Sequence, residues 1–90
     1  MEFRYVLPQL LIQKASWFAE FANGGMQVTI MLRNGQVYER ALLSNCSAIV
    51  AMRGYSDLPF AVDEIQDIYQ SEEDKCPHER GNWEYWDKWS

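Results

Sequence analysis

The sequence predicts a mainly β domain, in which an N-terminal α-helix precedes a five-stranded, strongly bent β-barrel. Three observations carry this. Residues 7–22 show apolar spacing of helical type and stop at Asn23-Gly24-Gly25. From Met26 the apolar period changes to two. From there to Tyr69, short β-favouring runs are separated by tight-turn signals.

In the first element, Leu10, Leu11, Lys14, Trp17, Phe18 and Phe21 fall near i, i+3, i+4, i+7, and Pro8 occupies a tolerated first-turn position. A helix over residues 8–22 follows, with an apolar face wide enough to lie across the strands. Trp17, Phe18 and Phe21 are read as core.

Val28, Ile30 and Leu32 then alternate with Gln27, Thr29, Met31 and Arg33, the pattern of a half-buried strand. Asn34-Gly35 supplies the residues a type I′ hairpin needs, because both central positions require positive φ. Residues 37–44 pair back with a mixed pattern suited to a long bent strand. Asn45, Cys46 and Ser47 form a polar turn, residues 48–53 a third strand, and Gly54 opens another turn. Residues 58–62 read as a short fourth strand and residues 65–69 as a fifth, anchored by Ile65 and Ile68. At this last position Asp63 as N-cap, with Ile65, Ile68 and Tyr69, fits a helix as well. The domain spans residues 1–70; residues 71–90 form an acidic, tryptophan-rich tail that begins as a polar linker.

Charge narrows the function classes. The net charge is −5, of which residues 1–70 carry −2 and residues 71–90 carry −3. With only Arg4, Lys14, Arg33, Arg40 and Arg53 before the tail, the basic stripe that drives duplex binding by counterion release is missing. Cys46 and Cys76 stand thirty residues apart without CxxC spacing and read as reduced thiols of a cytoplasmic protein. The apolar run of residues 10–12 is far shorter than the roughly 20 residues of a membrane span.

Two segments carry a family resemblance. Residues 28–35, VTIMLRNG, resemble the first Sm motif, in which alternating apolar residues lead into an L-x-N-G hairpin. Residues 60–68, FAVDEIQDI, are similar to the second, a short strand, a corner and a final strand. The spacing from Val28 to Ile68 resembles the bacterial host-factor (Hfq) branch of this Sm-like family without a gap. The resemblance implies an SH3-like small barrel and a homo-oligomeric ring, in which the fourth strand of one subunit pairs with the fifth of its neighbour. Leu58, Phe60, Val62, Ile65 and Ile68 then form the subunit interface, and the bound partner is single-stranded RNA. An apolar edge without lysine independently invites pairing with another chain.

The departures are as informative. Where the host-factor branch carries a tyrosine-lysine-histidine pore signature, this chain has Ala61, Val62 and Asp63, and an aspartate repeated around a ring repels phosphate. Asn45, Cys46 and Ser47 replace the acidic and aromatic residues of the other pore turn; they hydrogen-bond a base but do not stack on it. The glycine that allows the bend in the second strand is Arg40 here.

The RNA-site expectation therefore falls on Asn45, Cys46, Ser47, Arg53 and Asp63. No catalytic group or cofactor is expected: His78 is the single histidine, and Cys76, His78 and Glu79 fall one ligand short of a structural zinc site. Trp83, Tyr85, Trp86 and Trp89 are expected to bind a protein partner or to fold back on the barrel. Two functions follow: an Sm-like ring that binds RNA, and a protein-interaction scaffold that uses the acidic aromatic tail without RNA.

Overall fold

The computed structural model describes residues 5–20, 25–55 and 57–75. Phe21, Cys76, His78, Trp83, Tyr85, Trp86 and Trp89, and the expectations attached to them, lie outside the described residues. The elements in chain order are helix α1 (Gln9–Ala15), strands β1 (Gly25–Leu32), β2 (Val37–Ser44) and β3 (Ala48–Met52), a 3-10 turn (Val62–Glu64), strand β4 (Ile65–Tyr69) and a single helical turn α2 (Glu72–Lys75). The strands form one antiparallel sheet in the order β3-β2-β1-β4.

The mainly β fold and its leading helix agree with the sequence; the closed five-stranded barrel does not. Residues 58–62 are not a strand, and among the described residues the sheet has four strands and is not closed. The alternation behind that expectation is nevertheless present: Leu58, Phe60 and Val62 pack against the core while Asp57, Pro59 and Ala61 are exposed. Pro59 removes a ladder donor, and the segment pairs with none of the described strands. Residues 65–69 are a strand, so the helical alternative at Asp63 is excluded.

α1 is half the expected length. Ser16 caps it through Oγ donating to the Gln13 carbonyl at 2.6 Å, and the next amides tighten to i−3 bonds, Trp17 to Lys14 and Phe18 to Ala15. Its inner face is Leu11, Ile12 and Ala15, and Phe18, just beyond its end, packs on the same core. Trp17 was expected in the core but is 88% exposed, and Leu10 is 78% exposed.

The sheet is bent by irregularities in each of its three ladders: at Val28/Ile30 between β1 and β2, at Met31/Leu32 between β1 and β4, and at Leu42/Leu43 between β2 and β3. In the first, Arg40 takes φ 57, doing in left-handed conformation what a glycine does without strain. At the β1–β2 hairpin only Gly35 has positive φ, and its amide donates to the Leu32 carbonyl at 3.0 Å; the loop is a three-residue turn rather than the expected type I′. The paired positive φ values occur instead at Asn45 and Cys46, 53° and 63°, between β2 and β3.

Met26, Val28, Ile30, Leu32, Ala41, Leu43, Ile49, Met52, Ile65 and Ile68 fill the core under α1. β1 is buried on both faces, contrary to the half-buried expectation, because Gln27 and Thr29 on its other face are covered by α2. There Gln27 Nε2 and Thr29 Oγ1 donate to the two carboxylate oxygens of Asp74, at 2.8 and 2.7 Å. Ser71 and Asp74 cap each other reciprocally, the Ser71 amide to Asp74 Oδ2 and the Asp74 amide to Ser71 Oγ. Residues 71–75, read from composition as linker, are thus folded onto the sheet.

Two further ties hold the ends. The Gln70 amide accepts from the Ala19 N–H at 2.9 Å and donates to the Ala19 and Gln27 carbonyls at 2.9 and 3.0 Å. Lys14 pairs with Asp67 at 2.6 Å, both about two-fifths exposed, so this pair contributes no more than about 1 kcal/mol. Residues 5–7 run along part of the outer edge of β3, Leu7 N–H donating to the Ser47 carbonyl and Ile49 N–H to the Tyr5 carbonyl. β4 forms the other edge.

Candidate functional site

The five residues expected to contact RNA do not assemble in one copy of the chain. Asn45, Cys46 and Ser47 close the end of the sheet where Gly25 pairs with Ser44. Asp63 sits on the 3-10 turn at the far end of β1, where Arg33 N–H donates to the Glu64 carbonyl at 3.0 Å. An open cleft of about 310 Å³ lies there, lined by Leu32, Arg33, Asn34, Asp63 and Glu64. Two carboxylates against one guanidinium make it a poor seat for phosphate.

Arg53 is placed beside the bulge, its amide donating to the Arg40 carbonyl at 3.2 Å. Two arginines distant in sequence therefore start from adjacent backbone. Next to them the chain gathers three rings: Tyr38 meets Tyr55 edge-on with centroids 5.8 Å apart, and Phe60 at 5.0 Å. Tyr55 is 46% exposed. The nearest carboxylate on this loop, Asp57, is engaged by the Tyr5 hydroxyl at 2.6 Å and by the Leu58 amide at 2.8 Å. A shallow cleft of about 270 Å³, lined by Glu39, Arg40, Ser71, Glu73 and Asp74, continues from the bulge to α2.

Cations beside an exposed ring can hold a phosphate and stack a base. The sequence marked Arg53 but not Tyr38 or Tyr55, and marked Phe60 only as interface. Tyr38 and Phe60 are twenty-two positions apart, and only the crossing of the 53–62 loop over β2 joins them.

Arg40 is where strain and chemistry coincide. A non-glycine residue in left-handed conformation costs about 1–2 kcal/mol. Arg40→Gly is accordingly expected to stabilise the fold by about 0.5–1 kcal/mol in urea denaturation, the lost side-chain interaction offsetting part of the gain.

Cys46 is a free, partly buried thiol packed against the core. Burial, with Glu20 adding to it, pushes its pKa above that of an ordinary cysteine, so the thiolate needed for nucleophilic attack is scarce at neutral pH. Ser47 spends its hydroxyl on the Ser44 carbonyl at 3.3 Å, and Asn45 is exposed. Of the expected subunit-interface residues, Ile65 and Ile68 are buried in the core, so only their backbone faces outward. Among the described residues no cluster of histidine, cysteine and carboxylate side chains is arranged to hold a metal, and no helix is long and apolar enough to cross a membrane.

In comparisons with protein-family models, curated protein sequences and solved structures, the chain matches none.

Proposed function

We propose that this chain is a ring-forming, Sm-like RNA-binding protein of the cytoplasm. The observation that carries the reading is the pairing of two incomplete features. Residues 58–62 alternate inward and outward as a strand does, yet stand outside the sheet, and among the described residues no strand lies on the outer side of β4. A second copy supplies what each lacks: its 58–62 segment fits the outer edge of β4, the subunit contact the Sm resemblance implies. In the single copy the outward Ile68 amide donates to the Asp67 carboxylate at 2.8 Å, a bond that backbone pairing would replace.

In such a ring the exposed Tyr55, with Arg53 two positions before it, repeats once per subunit and offers single-stranded RNA a stacking ring next to a cation at each step. At the turn the exposed Asn45, flanked by Cys46 and Ser47, offers a side-chain amide to a base, and Asp63 keeps phosphate from its corner. Fluorescence anisotropy with uridine-rich and adenine-rich RNA, at two salt concentrations, tests the reading. Binding that weakens with salt is expected, and Tyr55→Ala should weaken it about tenfold, within the ~1–3 kcal/mol of a stacked base. No binding at low salt would remove RNA from the account.

One observation favours a second reading, a protein-interaction module without RNA. Leu10 on α1 and Trp17 in the turn that follows it project into solvent, and an exposed tryptophan is the residue type that most often anchors protein contacts. The acidic aromatic tail belongs to the same reading.

A further inference from the structure

On the side of the sheet that carries α2, one apolar row stays open. α2 reaches β1 through Asp74, whose side-chain bonds end on Gln27 and Thr29. Met31, the next residue of β1 on that face, is half-buried and stands outside the core cluster. Its partner on β2 is Val37, 47% exposed, and Tyr69 of β4, which pairs with Thr29 and so shares the face, is 38% exposed. Val37, Met31 and Tyr69 thus form a row across β2, β1 and β4. Tyr38, which meets Tyr55 and Phe60, pairs instead with the core residue Ile30, so the row lies on the opposite side of the sheet from the proposed RNA contact.

The rim of the row is acidic. Glu39, two residues past Val37 on β2, is exposed and lines a cleft with Arg40, Ser71, Glu73 and Asp74. α2 adds the exposed Glu72 on one side of the charge balance and Lys75 on the other. Carboxylates therefore outnumber cations at this border, in a chain whose net charge is −5. Such a field attracts a cationic partner and repels an anionic one, nucleic acid included.

We propose that Val37, Met31 and Tyr69 dock a basic amphipathic helix of a partner protein, its apolar side on the row and its lysines or arginines toward Glu39 and Glu72. The dimensions agree. The row crosses two interstrand spacings, about 10 Å, and residues i, i+4 and i+7 on one side of a helix span about 10.5 Å. α2 already seats one helical turn on the neighbouring row of the same face. A second copy of the chain is a poorer occupant, because its exposed strip of Leu10 and Trp17 holds one cation, Lys14, and that cation is bonded to Asp67 within its own copy.

The test uses the full chain, isotope-labelled for amide NMR, and a capped two-heptad peptide of leucine and lysine with its leucines on one side. Micromolar binding is expected, with amide shifts gathered at Met31, Val37 and Tyr69. Analogues with serine for leucine, or glutamate for lysine, should each bind about tenfold more weakly. Val37→Ser with Tyr69→Ser removes the apolar row without changing charge, and Glu39→Lys reverses the rim; each change should weaken the leucine-lysine peptide about fivefold. Should the double serine variant fold poorly, Glu39→Lys and the shift map decide in an otherwise native chain. No binding at millimolar peptide, equal binding of the serine analogue, shifts gathered on α1, or unchanged affinity in the folded variants would each overturn the proposal. So would shifts at the three residues on dilution without peptide, which would give the face to a second copy.

Discussion

Asp74→Ala is expected to destabilise the protein by about 2–4 kcal/mol, read as a lower urea midpoint with an unchanged slope. The carboxylate is 2% exposed and accepts three hydrogen bonds, from Gln27, Thr29 and the Ser71 amide. Alanine removes the acceptor and leaves two buried side-chain donors facing the space it vacates, each with a desolvation cost of about 1–3 kcal/mol. It also breaks the reciprocal cap with Ser71, worth about 1 kcal/mol at a typical helix start. Relaxation and entering water recover part of this sum, so the low end of the range is the firm expectation. Thr29→Val removes one donor with little change in volume and should cost less, and in the Asp74→Ala background it should cost almost nothing. That coupling is the signature of a shared network, and its absence would show that the two groups act independently.

Ile30→Ala should cost about 3 kcal/mol or more. Ile30 is fully buried at the centre of β1, across from Tyr38 on β2 and Ile68 on β4, so the lost side chain leaves a cavity bounded on two sides by ladders that resist collapse. Small domains have only about 5–15 kcal/mol in total, and a protein of this size sits near the low end of burial. The variant should therefore melt well below the parent and show a substantial unfolded population at 37 °C. A shift of less than about 1 kcal/mol would mean that the Ile30 site repacks freely, at odds with the ladders that frame it.

The strands were readable from the sequence because their cause is local. Val28, Ile30 and Leu32 alternate, and in the structure all three enter the core. Ile65 and Ile68 anchor the last strand as expected, although the three-residue interval fits a helix equally well; the irregularity at Met31/Leu32 absorbs the extra residue. Arg40 showed in the sequence as a missing glycine, and the structure keeps the bend and accepts the strain.

What could not be read depends on partners far along the chain. Ser71 and Asp74 have capping-box spacing, but an aspartate in an acidic run looks solvated until Gln27 and Thr29, more than forty residues earlier, are seen against it. Trp17 looked like core because periodicity gives the apolar positions of a helix without saying which side the sheet will cover. The 58–62 segment has a strand's alternation but no strand partner among the described residues, and pattern alone does not supply one. The candidate site was the least legible: Arg53 and Arg40 meet through a bulge, and Tyr38 and Phe60 through a loop crossing.

Light scattering coupled to size-exclusion chromatography tests the central claim most directly. If the free edge of β4 and the unpaired 58–62 segment complete each other between copies, the full chain runs as one closed species of several subunits, with a mass that stays constant over a tenfold dilution. A mass of 10.6 kDa at every concentration would contradict it.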